Sequence, residues 1–174
     1  MANLRHVAFI TPRLQTLGIN HFGFTVDKLE DVMEKLDDSI EHGVNPQNGR
    51  PAEMRIIDPW GNNVDLSSRG FLGRDEFSLP GVRHVVVQAD GPEACCRFYT
   101  DSCGLTSAGV IADGSLLLSA GGISLALAEK KTIDRGRIQY FGLQVDGWSA
   151  MQARFADVGE VLPALRQPRP QRFT

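Results

Sequence analysis

Three of the four histidines stand near the start of apolar runs rich in β-forming residues. His6 lies in LRHVAFIT, His21 in INHFGFTVD and His84 in VRHVVVQAD. Imidazole changes charge near neutral pH and is a frequent metal ligand, so each ring is a candidate for proton transfer or metal binding. Because side chains alternate along a strand, His21 is predicted to share one face with Gly23 and Thr25, while the apolar residues between them face a core.

These histidines belong to repeated segments of the chain. GINHFGFTVDKLEDVMEKL begins at Gly18, GVRHVVVQADGPEACCRFY at Gly81 and RIQYFGLQVDGWSAMQARF at Arg137. Each predicts a strand followed by a helix, and the third has Tyr140 where the others have histidine. The turn signals DPWGN, Asp-Gly and Gly-Gly then separate short β-rich runs after the first two helices. The repeating unit is therefore predicted to be βαβββ.

The unit is complete twice and begins a third time. We predict an N-terminal stub with one strand over residues 1–17, a first βαβββ module over 18–70, a linker over 71–80, a second module over 81–131, a partial third module of one strand and one helix over 137–162, and a Pro/Arg-rich tail over 163–174.

An acid follows each predicted first strand, at Asp27, Asp90 and Asp146, and is predicted to be the N-cap of the helix. The first helix is predicted to extend to Ile40, because apolar residues recur there at helical spacing. Arg55 and Asp58 are interpreted as surface or strand-face charges.

Composition excludes several classes of protein. The chain has 174 residues, 18 Lys and Arg against 21 Asp and Glu, a net charge of −3 and 42% hydrophobic residues. A core is expected, whereas nucleic-acid binding is not, since no basic cluster precedes the tail. No apolar run approaches the ~20 residues of a membrane span, and a cytoplasmic protein is expected. Its three cysteines, close together in one helix, are interpreted as mostly small core residues.

The sequence resembles the vicinal oxygen chelate superfamily, also called the glyoxalase/bleomycin resistance/extradiol dioxygenase group. INHFGFTVD with PAEMRIIDPWGNNVDLS, and VRHVVVQADGPEACCRFYTDSCGL, carry the resemblance. It implies an α+β fold in which paired βαβββ modules form a cupped mixed sheet, with helices on the outer face, around a metal and a small substrate. The missing parts of the first and last modules indicate a truncated or rearranged member.

The resemblance also implies metal ligands on the first and last strands of modules. First-strand positions match His21, His84 and, in the stub, His6, and the last-strand position matches Asp65. In the second module the last-strand position is Leu125, which cannot bind a metal. Two groupings stay open, one of His21, Asp65 and His84, and one of His6, His21 and Asp65.

The expected function is a metal-dependent enzyme, with dioxygenase-like chemistry of the extradiol type on a small catechol or other vicinal-oxygen compound, and a glyoxalase-related lyase as the other enzymatic possibility. Two imidazoles and one carboxylate suit Fe(II) first, and Mn(II) or another divalent ion as well. Tyr140 is the candidate catalytic residue, as an acid or as a group that orients a substrate oxygen, with a packed aromatic as the alternative. The alternatives for the whole chain are a metal-free binder of small molecules such as antibiotics, or an inactive remnant. Exposed sheet edges predict a homodimer.

Overall fold

The computed structural model describes residues 3–9, 19–44, 52–71, 79, 81–130 and 138–155, the first of these ranges by its backbone only. The predicted tail lies outside the described residues, as do nearly all of the predicted linker and much of the predicted stub. The chain divides into two compact units, Met1–Gln144 and Val145–Thr174. In the described part of the chain, every helix is too short or too polar to cross a lipid bilayer.

The first sheet contains five strands in the order β1-β2-β5-β4-β3. Its elements are β1 (Asn3–Phe9), β2 (Ile19–Thr25), helix α1 (Leu29–Met33), β3 (His42–Val44), β4 (Met54–Ile57) and β5 (Asn63–Ser67). β2 and β5 run parallel, and the other neighbouring pairs run antiparallel. A parallel pair needs a long crossover, which here consists of α1, β3 and β4.

The second sheet also contains five strands, in the order β10-β6-β9-β8-β7. Its elements are β6 (Gly81–Ala89), α2 (Pro92–Cys103), β7 (Thr106–Val110), β8 (Leu116–Ala120), β9 (Ile123–Glu129) and β10 (Ile138–Gln144). The predicted Asp-Gly and Gly-Gly turns join β7 to β8 and β8 to β9, with Gly114 at φ +87° and Gly121 at φ +68°. Helix α3 (Trp148–Phe155) belongs to the second compact unit.

The first strands of the repeats pair with one another, which shows how the incomplete modules are joined to the complete ones. β1 of the stub pairs antiparallel with β2, and β10 of the third repeat pairs antiparallel with β6. Each complete module therefore shares its sheet with an incomplete one, and the two complete modules form separate sheets. The mixed sheets and few helices confirm the predicted α+β class.

One hydrophobic core holds both sheets together. Phe22 and Phe24 of β2 are fully buried in the same cluster as Val85 and Val87 of β6, which confirms the predicted alternation. Tyr99 of α2 reaches the first sheet, with its ring centroid 5.8 Å from that of Phe24. The helix-bearing faces of the two modules therefore meet, and the opposite faces of both sheets point away from the shared core.

The interpretation of Asp58 as a surface or strand-face charge is wrong, because Asp58 lies in the turn after β4, which folds it inward until only 2% of it is exposed. Its Oδ1 accepts hydrogen bonds from the backbone N–H groups of Trp60 (3.0 Å) and Asn62 (2.6 Å). Its Oδ2 accepts them from Asn62 Nδ2 (2.7 Å) and from the hydroxyl of Tyr99 (2.6 Å). The last bond joins the first module to the helix of the second.

The helix ends differ from the predictions. α1 ends at Met33, well before Ile40, although Ile40 is buried. The N-caps of α1 and α2 are Lys28 and Gly91, neither with a side-chain capping bond, so the predicted caps at Asp27 and Asp90 are wrong. Gly91, at φ +80°, turns the chain between β6 and α2, and a left-handed turn of this kind favours glycine.

Candidate functional site

The centre of the candidate site is an ion pair on the face of the first sheet that points away from the core. Asp65 of β5 stands opposite Gly23 of β2 on one side and Arg55 of β4 on the other. Arg55 donates from Nε to Asp65 Oδ1 at 2.6 Å and from Nη2 to Oδ2 at 3.0 Å. This two-point contact fixes both side chains, because guanidinium and carboxylate match each other in plane and spacing.

His21 adjoins this pair. Its Nε2 lies 3.4 Å from Asp65 Oδ2, and its Nδ1 lies 2.8 Å from Asn20 Oδ1. The backbone carbonyl of Asn20 accepts a bond from Asn63 Nδ2 on β5, at 3.3 Å. Both nitrogens of the ring therefore have oxygen neighbours that orient it. We call His21, Arg55 and Asp65 the polar cluster.

Gly23 is a position where the site leaves no room for a side chain. A Cβ there would lie 2.7 Å from Phe71 Cζ and 2.9 Å from the backbone oxygen of Asp65. Phe71, the residue after the first module, thus closes against β2 beside the polar cluster.

We expect Gly23→Ala to lower the free energy of unfolding by about 1–3 kcal/mol, because the added methyl group overpacks a filled space. Gly43→Ala on β3 is the matched control, since its Cβ would meet nothing within 4 Å. Urea denaturation of both variants measures the difference. Equal midpoints for the two variants would show that Phe71 yields without cost.

His6 lies in β1, opposite Gly23. Paired positions share a face of a sheet, so positions 6, 23, 65 and 55 form one row across neighbouring strands. The side chain of His6 lies outside the described residues. The register therefore agrees with the grouping of His6, His21 and Asp65, whose role as ligands stays a prediction.

The structure does not bring His84 together with His21 and Asp65. His84 precedes Val85 on β6, just as His21 precedes Phe22 on β2, and Val85 and Phe22 share one core. Because neighbours along a strand face opposite sides, the two histidines project from opposite sides of that core. The grouping of His21, Asp65 and His84 around one ion is not formed within the chain.

His84 has its own partners on the second sheet. Its Nδ1 lies 2.7 Å from Ser124 Oγ, and Ser124 Oγ donates to the backbone oxygen of Arg83 at 3.3 Å. Tyr140 of β10 is a neighbour, with ring centroids 6.0 Å apart, and is 51% exposed. Roles in catalysis for Tyr140 and in metal binding for His84 stay predictions.

Burial lowers the pKa of His84 below its ordinary value of 6.5, although Asp113 raises it in part. The unfolded chain therefore takes up a proton near pH 6.5, before the folded chain does. The contribution of His84 to stability is full above pH 6.5 and is lost as the pH falls through the folded pKa. We expect urea midpoints measured from pH 7.5 to pH 5 to fall less in His84→Gln than in the wild type. An identical slope in both proteins would contradict this assignment.

The cysteines behave as predicted from the sequence. Cys95 and Cys103 are buried and free, and Cys96 is half-buried. Burial raises the pKa of Cys95, and it raises that of Cys103 to about 12. Thiols held protonated in this way are poor nucleophiles and poor metal ligands.

Comparisons with known proteins agree with this fold. A fusion protein of a xylose isomerase-like TIM barrel and a 4-hydroxyphenylpyruvate dioxygenase is similar over 82% of this chain and 28% of its own length, with 13% identity and a TM-score of 0.60. The 2,3-dioxygenase LapB from Pseudomonas sp. KL28 is similar over 83% of this chain and 60% of its own, with 16% identity and a TM-score of 0.56. The chain has the vicinal oxygen chelate fold.

A third structure of the vicinal oxygen chelate fold is the Mn(II)-bound glyoxalase from Novosphingobium aromaticivorans. It is similar over 67% of this chain and 44% of its own length, with 15% identity and a TM-score of 0.51. The chain thus spans less than two thirds of each of these proteins. No protein-family model and no curated protein matches the sequence. Sequence identities of 13–16% show a shared fold, and a shared fold does not determine activity.

The polar cluster does not fit a divalent metal in the arrangement that the structure shows. Both carboxylate oxygens of Asp65 accept bonds from Arg55, whose positive charge stands where it would repel a cation. Among the described residues, no group of three or more His, Cys, Asp or Glu side chains is placed to hold a metal ion.

Sequence reasoning missed Arg55 and Ser124 as members of these sites. Arg55 is a charged residue inside the apolar run MRII, and Ser124 has the same place in ISLALAE. A polar residue within an apolar strand was the available signal. Its partner across the sheet could not be assigned, because register depends on the folded sheet.

Proposed function

We propose that the chain binds a small oxygen-bearing molecule at the polar cluster, without a metal. The observation that carries this proposal is the Arg55–Asp65 pair, which supplies a fixed cation at the acid that metal-dependent relatives are expected to use. The Arg55 side chain is 29% exposed, whereas Asp65 lies beneath it at 5%. The cation is thus the more accessible member of the pair.

Thermal shift and calorimetry on the full chain, with catechol and benzoate as probes in the presence of a chelator, test this proposal. We expect at least one probe to bind the wild type and to lose affinity in Asp65→Asn, which weakens the hold on Arg55. His42→Gln is a control, because the Nδ1 of His42 lies 2.9 Å from the backbone oxygen of Ile40 and His42 is not part of the polar cluster. Failure of both probes to bind would contradict the proposal.

The second candidate function is metal-dependent chemistry of the dioxygenase type, favoured by the register of His6 with Gly23 and Asp65. Here His6, His21 and Asp65 would hold Fe(II), Mn(II) or another divalent ion. If bound there, the ion would supply Lewis-acid activation of a hydroxyl group and, as iron, chemistry with O₂. This function requires Arg55 to release Asp65. Removing Arg55 should therefore favour metal binding if the second candidate is right, and should weaken ligand binding if the first is right.

Metal analysis after anaerobic incubation with Fe(II) or Mn(II), followed by desalting, separates the candidates. Metal-free binding predicts substoichiometric metal in the wild type, unchanged in His21→Ala. The metal-dependent function predicts about one ion per chain, lost in His21→Ala, with oxygen uptake on a catechol panel. Arg55→Met tests whether the guanidinium competes with the ion, and Arg69→Met is its control, because Arg69 pairs with Glu53 and its side chain is 82% exposed.

The homodimer also remains a proposal. β1 and β10 each stand at the end of their sheet in the described part of the chain, and an end strand offers hydrogen-bonding groups to another strand. β10 contains no charged residue that would oppose such pairing. Light scattering with size-exclusion chromatography tests the proposal, and a monomer across the concentration range would contradict it.

A further inference from the structure

The guanidinium of Arg55 has two edges that can each hold a pair of oxygens. Arginine carries five N–H donors in one plane. Asp65 accepts one from Nε and one from Nη2, along one edge of the group. One N–H of Nη1 and the second N–H of Nη2 form the other edge, and the remaining N–H of Nη1 points to the side of Cδ. None of these three donates to a described residue.

The acids near Arg55 do not occupy this outer edge. Asp65 is bound on the inner edge and is nearly inaccessible, so it does not compete for the outer donors. Glu53, which precedes β4 and lies two residues before Arg55, is held by Arg69 at 3.1 Å and by the backbone N–H of Ser68 at 2.6 Å. The nearby acids therefore already have cationic or N–H partners.

We propose that the outer edge of Arg55 binds the carboxylate of a small planar acid, and that Asp65 positions the guanidinium for it. This inference rests on the proposed function and names its ligand class. A carboxylate presents two coplanar oxygens, which match the paired donors of Nη1 and Nη2 in spacing and charge. Asp65 acts as a positioning residue, since it contacts Arg55 and not the ligand.

Arg55→Lys is the decisive substitution, because it keeps the positive charge and removes the paired N–H donors of the guanidinium. A single ammonium group contacts either Asp65 or an incoming carboxylate well, and it cannot hold both in one plane. Affinity for a carboxylate should therefore fall in Arg55→Lys even though the net charge of the protein is unchanged.

The test measures binding of benzoate and of its neutral, nearly isosteric analogue benzamide to the full chain by calorimetry or NMR. We expect benzoate to bind more tightly than benzamide, and Arg55→Lys to weaken benzoate by about tenfold or more, the loss of one charge-assisted hydrogen bond. Arg69→Lys is the matched control and should leave benzoate affinity unchanged.

Two further measurements keep the outcomes distinct. The double variant Arg55→Met/Asp65→Leu replaces the ion pair by apolar groups, so that it tests the loss of benzoate binding even if Arg55→Lys unfolds. Unchanged benzoate affinity in either variant, or no benzoate binding to the wild type, overturns the inference. If catechol binds and perturbs the NMR signals of His21 while benzoate does not bind, the proposed function survives and the carboxylate inference fails. If neither probe binds, the proposed function and the inference both fail.

Discussion

Arg55→Met is expected to lower the free energy of unfolding by about 3 kcal/mol, at the low end of the cost of breaking a buried ion pair. The variant removes both donors to Asp65 and leaves a carboxylate that is only 5% exposed. A buried charge without its partner loses hydration and gains little in return, and His21 Nε2, at 3.4 Å, compensates only in part. Urea denaturation at neutral pH measures the loss.

The double variant Arg55→Met/Asp65→Leu should recover most of that stability, since an apolar pair leaves no unpartnered charge. Arg69→Met should change stability little, because its ion pair with Glu53 lies at the surface. If the single and double variants were equally unstable, the loss would come from packing of the Arg55 side chain and the electrostatic explanation would be wrong.

Tyr99→Phe is expected to cost about 1–3 kcal/mol, the price of leaving a buried polar group without a partner. The variant removes the hydroxyl that donates to Asp58 Oδ2 at 2.6 Å and keeps the ring that packs on Phe24. Because this bond joins α2 to the first module, its loss should weaken the contact between the modules. The measurement is the unfolding midpoint in urea.

Tyr140→Phe is the matched control, since Tyr140 is the other of the two tyrosines and is half exposed. It should leave the midpoint unchanged. Burial raises the pKa of Tyr99 well above 10.0, with Asp58 adding to the shift. Alkaline titration of Tyr140→Phe should therefore show no phenolate until the chain unfolds. Ionisation near pH 10 in the folded protein would contradict the buried bond to Asp58.

Local patterns in the sequence determined the modules. Alternation predicted which residues of β2 are buried, and paired glycine turns predicted the hairpins of the second sheet. Gly104, predicted to end α2, is its C-cap at φ +71°. These features depend on the alternation of side chains along a strand and on the backbone conformations open to glycine. Both are local properties, set by residues that are close together in the chain.

Caps and helix lengths were less predictable. An acid before a helix is a good cap only when the backbone enters the helix in extended geometry. At α2 the cap position is taken by Gly91 in a left-handed conformation, and Asp90 Oδ2 lies instead 3.4 Å from Lys130 Nζ. α1 is short, and Ile40 reaches the core after the turns that follow it.

The partners of the chemical residues were decided only by the tertiary structure. The sequence selected His21, Asp65 and His84 as residues with chemistry, but it contained no signal that Arg55 stands beside Asp65 or that Tyr99 reaches Asp58. Residues 55 and 65 meet because β4 and β5 pair in one register, and a shift by one residue would send Arg55 to the other face. His21 and His84 are separated because the modules join through their helix-bearing faces. Such choices depend on the packing of the whole core, to which residues far apart in the chain contribute together.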